Sequence, residues 1–357
     1  MESIYYVLCW ACHRRCKHCY EARFRPYVRG ALREVVDEAR STFPKVLDSL
    51  PDELSYLDLD APSETAPGGY ERRASRIILA GGEVLVDPVR EEVLYPVMEA
   101  IQAKYGPQGV RVVVQTTGDL VTPKIVEELL DRGAWMISCA GMDDFHVGHE
   151  GDKRVPLVDR LTEIFENAGV SGMRRSGLSP ATRNWLDEEG PLYSFFGATE
   201  DAWIGKIWPR GRAWENSLSK AGITDNFCNV WSGGRGFLNR GYSGSEVSID
   251  PNGDVFPCCL KTAAPLGNLC EERLDDILDS LVGHPALEAI SMGHPERMGL
   301  AHGWGPKRFF EESRTKRPDG EPYRNLCIGC DRFFEKVLGP ELVRLREERI
   351  AAKRAAE

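Results

Sequence analysis

The chain has 357 residues, 42% hydrophobic and 28% charged, which supplies apolar material for a sizeable core and shows no sign of wholesale disorder. Its 45 Lys and Arg against 55 Asp and Glu give a formal net charge of -10, so a nucleic-acid backbone is not expected as the main partner. No apolar run approaches membrane length and the opening residues are too rich in Cys and His for a signal peptide, so no membrane partner is expected and the expected location is cytoplasmic.

In a reducing compartment, the 11 cysteines read as metal ligands or redox groups rather than disulfides.

Residues 4–10 are apolar and rich in β-formers and read as a buried strand, followed by a Cys-rich loop. Apolar residues at helical spacing (Leu32, Val35, Val36, Ala39, Phe43, Val46, Leu47) place a helix within 26–50. Residues 51–75, rich in Pro, Asp and Gly, read as an irregular insertion. Strands at 76–80, 110–115 and 134–139 then alternate with helices at 88–105, 123–132 and 157–168. A short helix at 180–189 and strands at 192–197 and 203–208 follow. Apolar strands alternating with helices predict an α/β fold, a parallel sheet closed only in part, with its site at the carboxyl ends of the strands.

From Cys228 the texture changes. A Gly-rich loop at 232–245 precedes a strand pair at 246–250 and 254–257, joined by the turn Pro251-Asn252-Gly253. A helix at 274–281, a basic loop at 307–324 and a charged helix at 342–355 complete the chain. The expected division is a core at 1–220, a small α+β domain at 221–335 and a helical tail at 336–357.

Cys12, Cys16 and Cys19, spaced C-x3-C-x2-C, lie in the loop after the first strand. Three thiolates on a short loop can converge on one metal centre and leave a coordination position open. A structural zinc completed by His13 or His18 is the alternative.

This loop resembles the CxxxCxxC signature of radical S-adenosylmethionine (radical SAM) enzymes, which use a partial (β/α)6 barrel. The resemblance implies a [4Fe-4S] cluster on Cys12, Cys16 and Cys19 whose free iron binds SAM and, when reduced, releases a 5′-deoxyadenosyl radical. His18 stands at a position that is often aromatic in the family, near the adenine. Gly81-Gly82-Glu83, after the second strand of the core, resembles the family's GGE motif at the methionine amine of SAM. Glycines suit a close backbone approach and a carboxylate suits an ammonium. The segment Trp208 to Ala213 is similar to the GRA segment of members with C-terminal cluster domains.

Cys228, Cys258 and the pair Cys327-Ile328-Gly329-Cys330 can together close a second [4Fe-4S] site, with Gly253 aiming Cys258 inward. This set resembles the twitch form of the SPASM auxiliary-cluster domain, with a longer gap between Cys228 and Gly253, and Gly267-Asn268-Leu269 fits its layout. Cys259 and Cys270 are the competing ligands, and a zinc held by the same thiolates is the alternative.

Cys139, at the end of the strand 134–139, is a candidate hydrogen-atom donor or a small core residue. Thr116 and Thr117 are candidate contacts to SAM or substrate, with Thr117 the cofactor candidate. The loop from Asp143 to His149 carries carboxylates and imidazoles suited to substrate or proton binding. Cys9 reads as core. The expected activity is radical SAM chemistry on a small metabolite or a peptide, fed by an electron donor such as flavodoxin or ferredoxin. No domain precedes the first strand, which points toward a small substrate. Dehydrogenation, epimerisation with Cys139 or Cys259 as donor, and aminocarboxypropyl transfer stay open, the last from a resemblance of Cys258 to Lys261 to a segment of arsinothricin-type enzymes. A zinc-binding module without catalysis is the alternative of another class.

Overall fold

Alternation along the first strand sets the layering of the computed structural model, which describes residues 1–173, 188–197, 206–229 and 233–356. In β1 (Ser3–Val7), Ile4 and Tyr6 join a core with the helices, while Tyr5 and Val7 join a second apolar cluster on the opposite face. The same period of two recurs in β4 (Arg76–Ala80), where Ile77 and Leu79 face the helices and Ala80 the other side.

Strand β1 pairs in parallel with β4, which continues through β5 (Arg111–Thr116) and β6 (Ala134–Cys139) to β8 (Leu192–Phe195). The short β7 (Ser171–Gly172), not anticipated from sequence, pairs in parallel with β8 at the edge. On the other side of β1 lies β9 (Glu246–Ile249), also parallel, followed by antiparallel β10 (Asp254–Phe256) and β11 (Gly267–Asn268). The nine strands form one open sheet, and the fold is α/β with mostly parallel pairing. The boundary expected near residue 220 therefore does not separate two sheets.

Helices α1 (Arg29–Ser49), α2 (Tyr95–Tyr105), α3 (Pro123–Asp131) and α4 (Val155–Asn167) cover one face. Val36, Val97, Val126 and Leu161 of these helices are fully buried, each contributing about 1.5–3 kcal/mol relative to exposure. Thr122 starts α3 by accepting the Ile125 N–H at 3.3 Å ahead of Pro123.

Two expectations are corrected. Residues 51–75 are not irregular: β2 (Ser55–Pro62) and β3 (Tyr70–Ala74) form an antiparallel hairpin. Its buried Asp58 disguised the strand period and is paired with Arg73 at 2.6 Å. Residues 307–324 hold a helix, α5 (Pro306–Glu312), with Phe309 buried beneath its charged face, and the hairpin β12 (Arg314–Lys316) and β13 (Pro322–Arg324). The helix expected at 88–105 opens with a π-helical turn at Arg90–Leu94. The helix expected at 180–189 and most of the strand expected at 203–208 lie outside the described residues, and residues 206–208 are not strand.

Candidate metal centres

The loop carrying Cys12, Cys16 and Cys19 leaves the carboxyl end of β1, and the turn Gly81–Glu83 leaves the carboxyl end of the adjacent β4. The two are clamped together. Gly82 N–H donates to the Cys9 carbonyl at 3.1 Å and Glu83 N–H to the Ala11 carbonyl at 2.9 Å. A Cβ on Gly82 would lie 2.3 Å from the Ala11 carbonyl oxygen, so only glycine permits this approach.

The Glu83 carboxylate is almost fully buried and fully engaged. Its Oε1 accepts from the Thr116 hydroxyl at 2.7 Å and Leu85 N–H at 3.0 Å. Its Oε2 accepts from Thr117 N–H and lies at the same 2.7 Å from the Thr117 hydroxyl. Three donors to Glu83 are fixed by these contacts, and the single Thr117 hydroxyl proton lies between Glu83 and Asp119. Glu83 thus braces the end of β4 against the end of β5.

Two further strand ends reach the same loop. His13 Nε2 lies 2.7 Å from Asp119, and Arg14 donates to Asp119 at 2.7 and 3.1 Å and to the Val147 carbonyl at 2.6 Å. Burial favours the neutral form of Asp119, but the bonds from His13, Thr117 and Arg14 hold its carboxyl well below the usual range. His18 is buried beside Phe145 and His146, at ring separations of 5.2 and 4.7 Å. Burial, then the neighbouring His146, lowers its pKa to about 4. For His146 burial pulls the same way, yet the bond to Asp143 at 2.9 Å and a hydrogen bond with the Cys16 thiol raise its pKa to about 9.

Among the described residues, the group of three metal-type ligands with all ligand atoms within 4.8 Å of one another is His18, Asp143 and His146. Asp143 Oδ1 already accepts the N–H groups of Phe145 and His146 besides the His146 ring, so the trio is held by its own hydrogen bonds.

The four cysteines of the second set meet in one cavity of about 410 Å³ including its opening, lined by Cys228, Cys258, Cys327, Cys330 and Arg210. Cys327 and Cys330 sit in the first turns of α6 (Leu326–Phe333), whose cap is the buried Asn325: its side chain accepts Cys327 N–H at 2.9 Å and donates to the Gly222 carbonyl at 2.8 Å. Gly253 turns the hairpin before Cys258 at φ +83°. Burial raises the thiols of Cys258 and Cys327 to about 12 and about 11, and those of Cys12 and Cys19 to about 12 and about 11. A metal must displace these protons to bind.

The adjacent Cys258 and Cys259 diverge. Cys258 lines the cavity, and Cys259 is buried in the cluster that contains Tyr5 and Val7. Cys270 is away from the cavity lining, with its sulfur 3.6 Å from the Asn252 carbonyl. Cys139 belongs to the helix-side core with Ile137, and its sulfur lies beside Gly118, near Leu161. Cys9 is core, its sulfur 3.7 Å from the Val35 carbonyl.

No local pattern announces what Arg212 does. It is buried and donates to the carbonyls of Cys16, Ala22 and Phe24 at 2.9, 2.8 and 2.6 Å, while Ala213 N–H donates to the Cys19 carbonyl at 3.2 Å. The GRA segment is the staple of the first cysteine loop.

Residues 242–283 match the family model of SPASM, an iron-sulfur cluster-binding domain. This stretch is similar to a SPASM domain. The matched stretch spans β9 to β11 and includes Cys258, while Cys228, Cys327 and Cys330 flank the SPASM match. No curated protein matches the chain. Similar solved structures include BtrN in complex with AdoMet and 2-DOIA (13% identity, 82% of this chain and 90% of that one, TM-score 0.41). Others are Streptococcus suis SuiB bound to the precursor peptide SuiA (13%, 85% and 73%, TM-score 0.39) and anSMEcpe with bound AdoMet (12%, 97% and 99%, TM-score 0.40).

Proposed function

We propose that this protein is a radical SAM enzyme, with one [4Fe-4S] cluster held by Cys12, Cys16 and Cys19 and an auxiliary one held by Cys228, Cys258, Cys327 and Cys330. The observation that carries it is the clamping of the C-x3-C-x2-C loop onto Gly81–Glu83 at the carboxyl ends of parallel strands, joined to a SPASM domain. When bound and reduced, the first cluster with SAM supplies a 5′-deoxyadenosyl radical that removes a hydrogen atom from substrate.

The chain's own residues orient and enclose. Gly81 and Gly82 bring backbone against the cysteine loop, Glu83 locks Thr116 and Thr117, and Arg212 fixes the far side. Polar groups on the inner sheet face, the Tyr5 hydroxyl donating to Gln115 at 2.7 Å and the Ser138 and Ser194 hydroxyls 2.8 Å apart, offer a floor for a small metabolite or a peptide. A flavodoxin or ferredoxin would deliver the electron. Net oxidation assisted by the auxiliary cluster fits the SPASM domain best.

Anaerobic reconstitution tests this. About eight irons per chain and 5′-deoxyadenosine formed from SAM are expected, with about half the iron and no SAM cleavage in a Cys12→Ala, Cys16→Ala, Cys19→Ala variant. A colourless protein that takes up zinc in place of iron would reject an enzyme in favour of a binding module.

A further inference from the structure

Arg210 stands at the second cysteine set, two residues before the Arg212 that holds the first cysteine loop. Its guanidinium forms a two-pronged pair with Asp331, at 2.6 and 2.8 Å, and lines the cavity shared by Cys228, Cys258, Cys327 and Cys330. Lys261, another cation lining that cavity, is engaged elsewhere, 3.3 Å from Glu21 and 3.6 Å from Asp250. Four thiolates around an iron-sulfur core leave net negative charge, and Asp331 adds one more, so Arg210 is the cation placed to offset it.

Two residues further on, the Arg212 fork holds the Cys16, Ala22 and Phe24 carbonyls. Gly211 between them has φ +50°, and a Cβ there would lie 2.4 Å from the Tyr20 carbonyl oxygen. The link is short and has no room to adjust.

We propose that Arg210 is a positioning residue for both sites: its charge balances the auxiliary cluster, and its anchoring through Gly211 fixes the Arg212 fork on the loop of Cys16 and Cys19. The charge part rests on the iron-sulfur assignment above. The anchoring part holds for any metal group on the four cysteines.

The test uses the reconstituted full chain, an Arg210→Gln, Asp331→Asn double variant that removes the pair without stranding a carboxylate, and Arg210→Lys, which keeps the charge. The auxiliary midpoint potential, followed by redox titration with electron paramagnetic resonance, is expected to move negative in a single Arg210→Gln variant, which leaves Asp331 uncompensated, to move less in the charge-neutral double variant, and to stay near wild type with lysine. Amide exchange at residues 16–24 is expected to accelerate by about tenfold in the double variant, and by less with lysine. An unchanged potential in Arg210→Gln or unchanged exchange in the double variant overturns the proposal; if those variants do not fold, a lysine variant with wild-type exchange overturns it. If the chain binds zinc instead, the enzyme assignment fails, and exchange at residues 16–24 in the zinc-loaded double variant against zinc-loaded wild type still decides the anchoring role of Arg210: unchanged exchange overturns it.

Discussion

The Arg212 side chain donates to the backbone carbonyl of Cys16 at 2.9 Å across a separation of 196 residues. With Ala22 and Phe24 it satisfies three carbonyls of the loop that carries two of the N-terminal cysteines. Lysine cannot reproduce that planar fork, and each buried carbonyl left unpaired costs about 1–3 kcal/mol. Arg212→Lys is therefore expected to lower the melting temperature and to lose iron from the first site, with auxiliary iron retained. Iron analysis and cluster-resolved spectroscopy check this.

Glu83 joins two strand ends through Thr116, Thr117 and Leu85. Glutamine at this position replaces one acceptor oxygen with a donor, at a cost of about 1–3 kcal/mol. Glu83→Gln is expected to keep the fold and weaken SAM binding by about tenfold, as read from titration of the spectral change on adding SAM. Wild-type affinity would show that the brace is dispensable.

Gly82→Ala places a methyl group 2.3 Å from the Ala11 carbonyl oxygen and 2.8 Å from the Cys12 Cβ, and the Ala11 backbone cannot yield. The expected result is a protein that fills only its auxiliary site, visible as roughly half the iron per chain.

Glu21 receives both prongs of Arg23, at 3.0 and 2.8 Å, and lies 3.3 Å from Lys261 Nζ of the C-terminal part. Burial alone would raise its pKa; Arg23 and Lys261 bring it down to about 2, against 4.5 for a free glutamate. Because the folded value is depressed, its stabilisation is complete above about pH 4.5 and disappears as the pH falls through about 2. The difference in melting temperature between wild type and Glu21→Gln should be widest near neutral pH and close across that acid window.

Cys139 lies under Leu161 and Gly118 on the helix side of the sheet. Cys139→Ala is expected to retain turnover while losing some stability to a small cavity, about 1 kcal/mol. Loss of product formation with intact 5′-deoxyadenosine release would instead assign it the role of hydrogen donor.

Much of this architecture was legible because β4 and β6 are short apolar runs with clear breaks, and the strands expected at 76–80 and 134–139 coincide with them. The β2–β3 hairpin was hidden because Asp58 occupies a buried position that only its Arg73 partner makes tolerable, and pairing across a turn leaves no trace in periodicity. Cys228, Cys258, Cys327 and Cys330, grouped on the sequence as one set, line a single cavity. Periodicity also held the information that Cys139 sides with Ile137, but which face the helices cover depends on the whole sheet. Arg212 and Asp119 were unreadable for another reason: their partners are carbonyls and side chains on loops far along the chain, and nothing in a local window names them.

Because Ser3 of β1 registers with Glu246 of β9, the outer edge of the first strand waits for a partner made 243 residues later. During synthesis that edge is bare while the helices that shield its neighbour are already on hand, and an exposed apolar edge invites pairing with other nascent chains. A ribosome-bound product stopped near residue 220 should accordingly depend on chaperones, whereas one extended past the SPASM strands should release on its own.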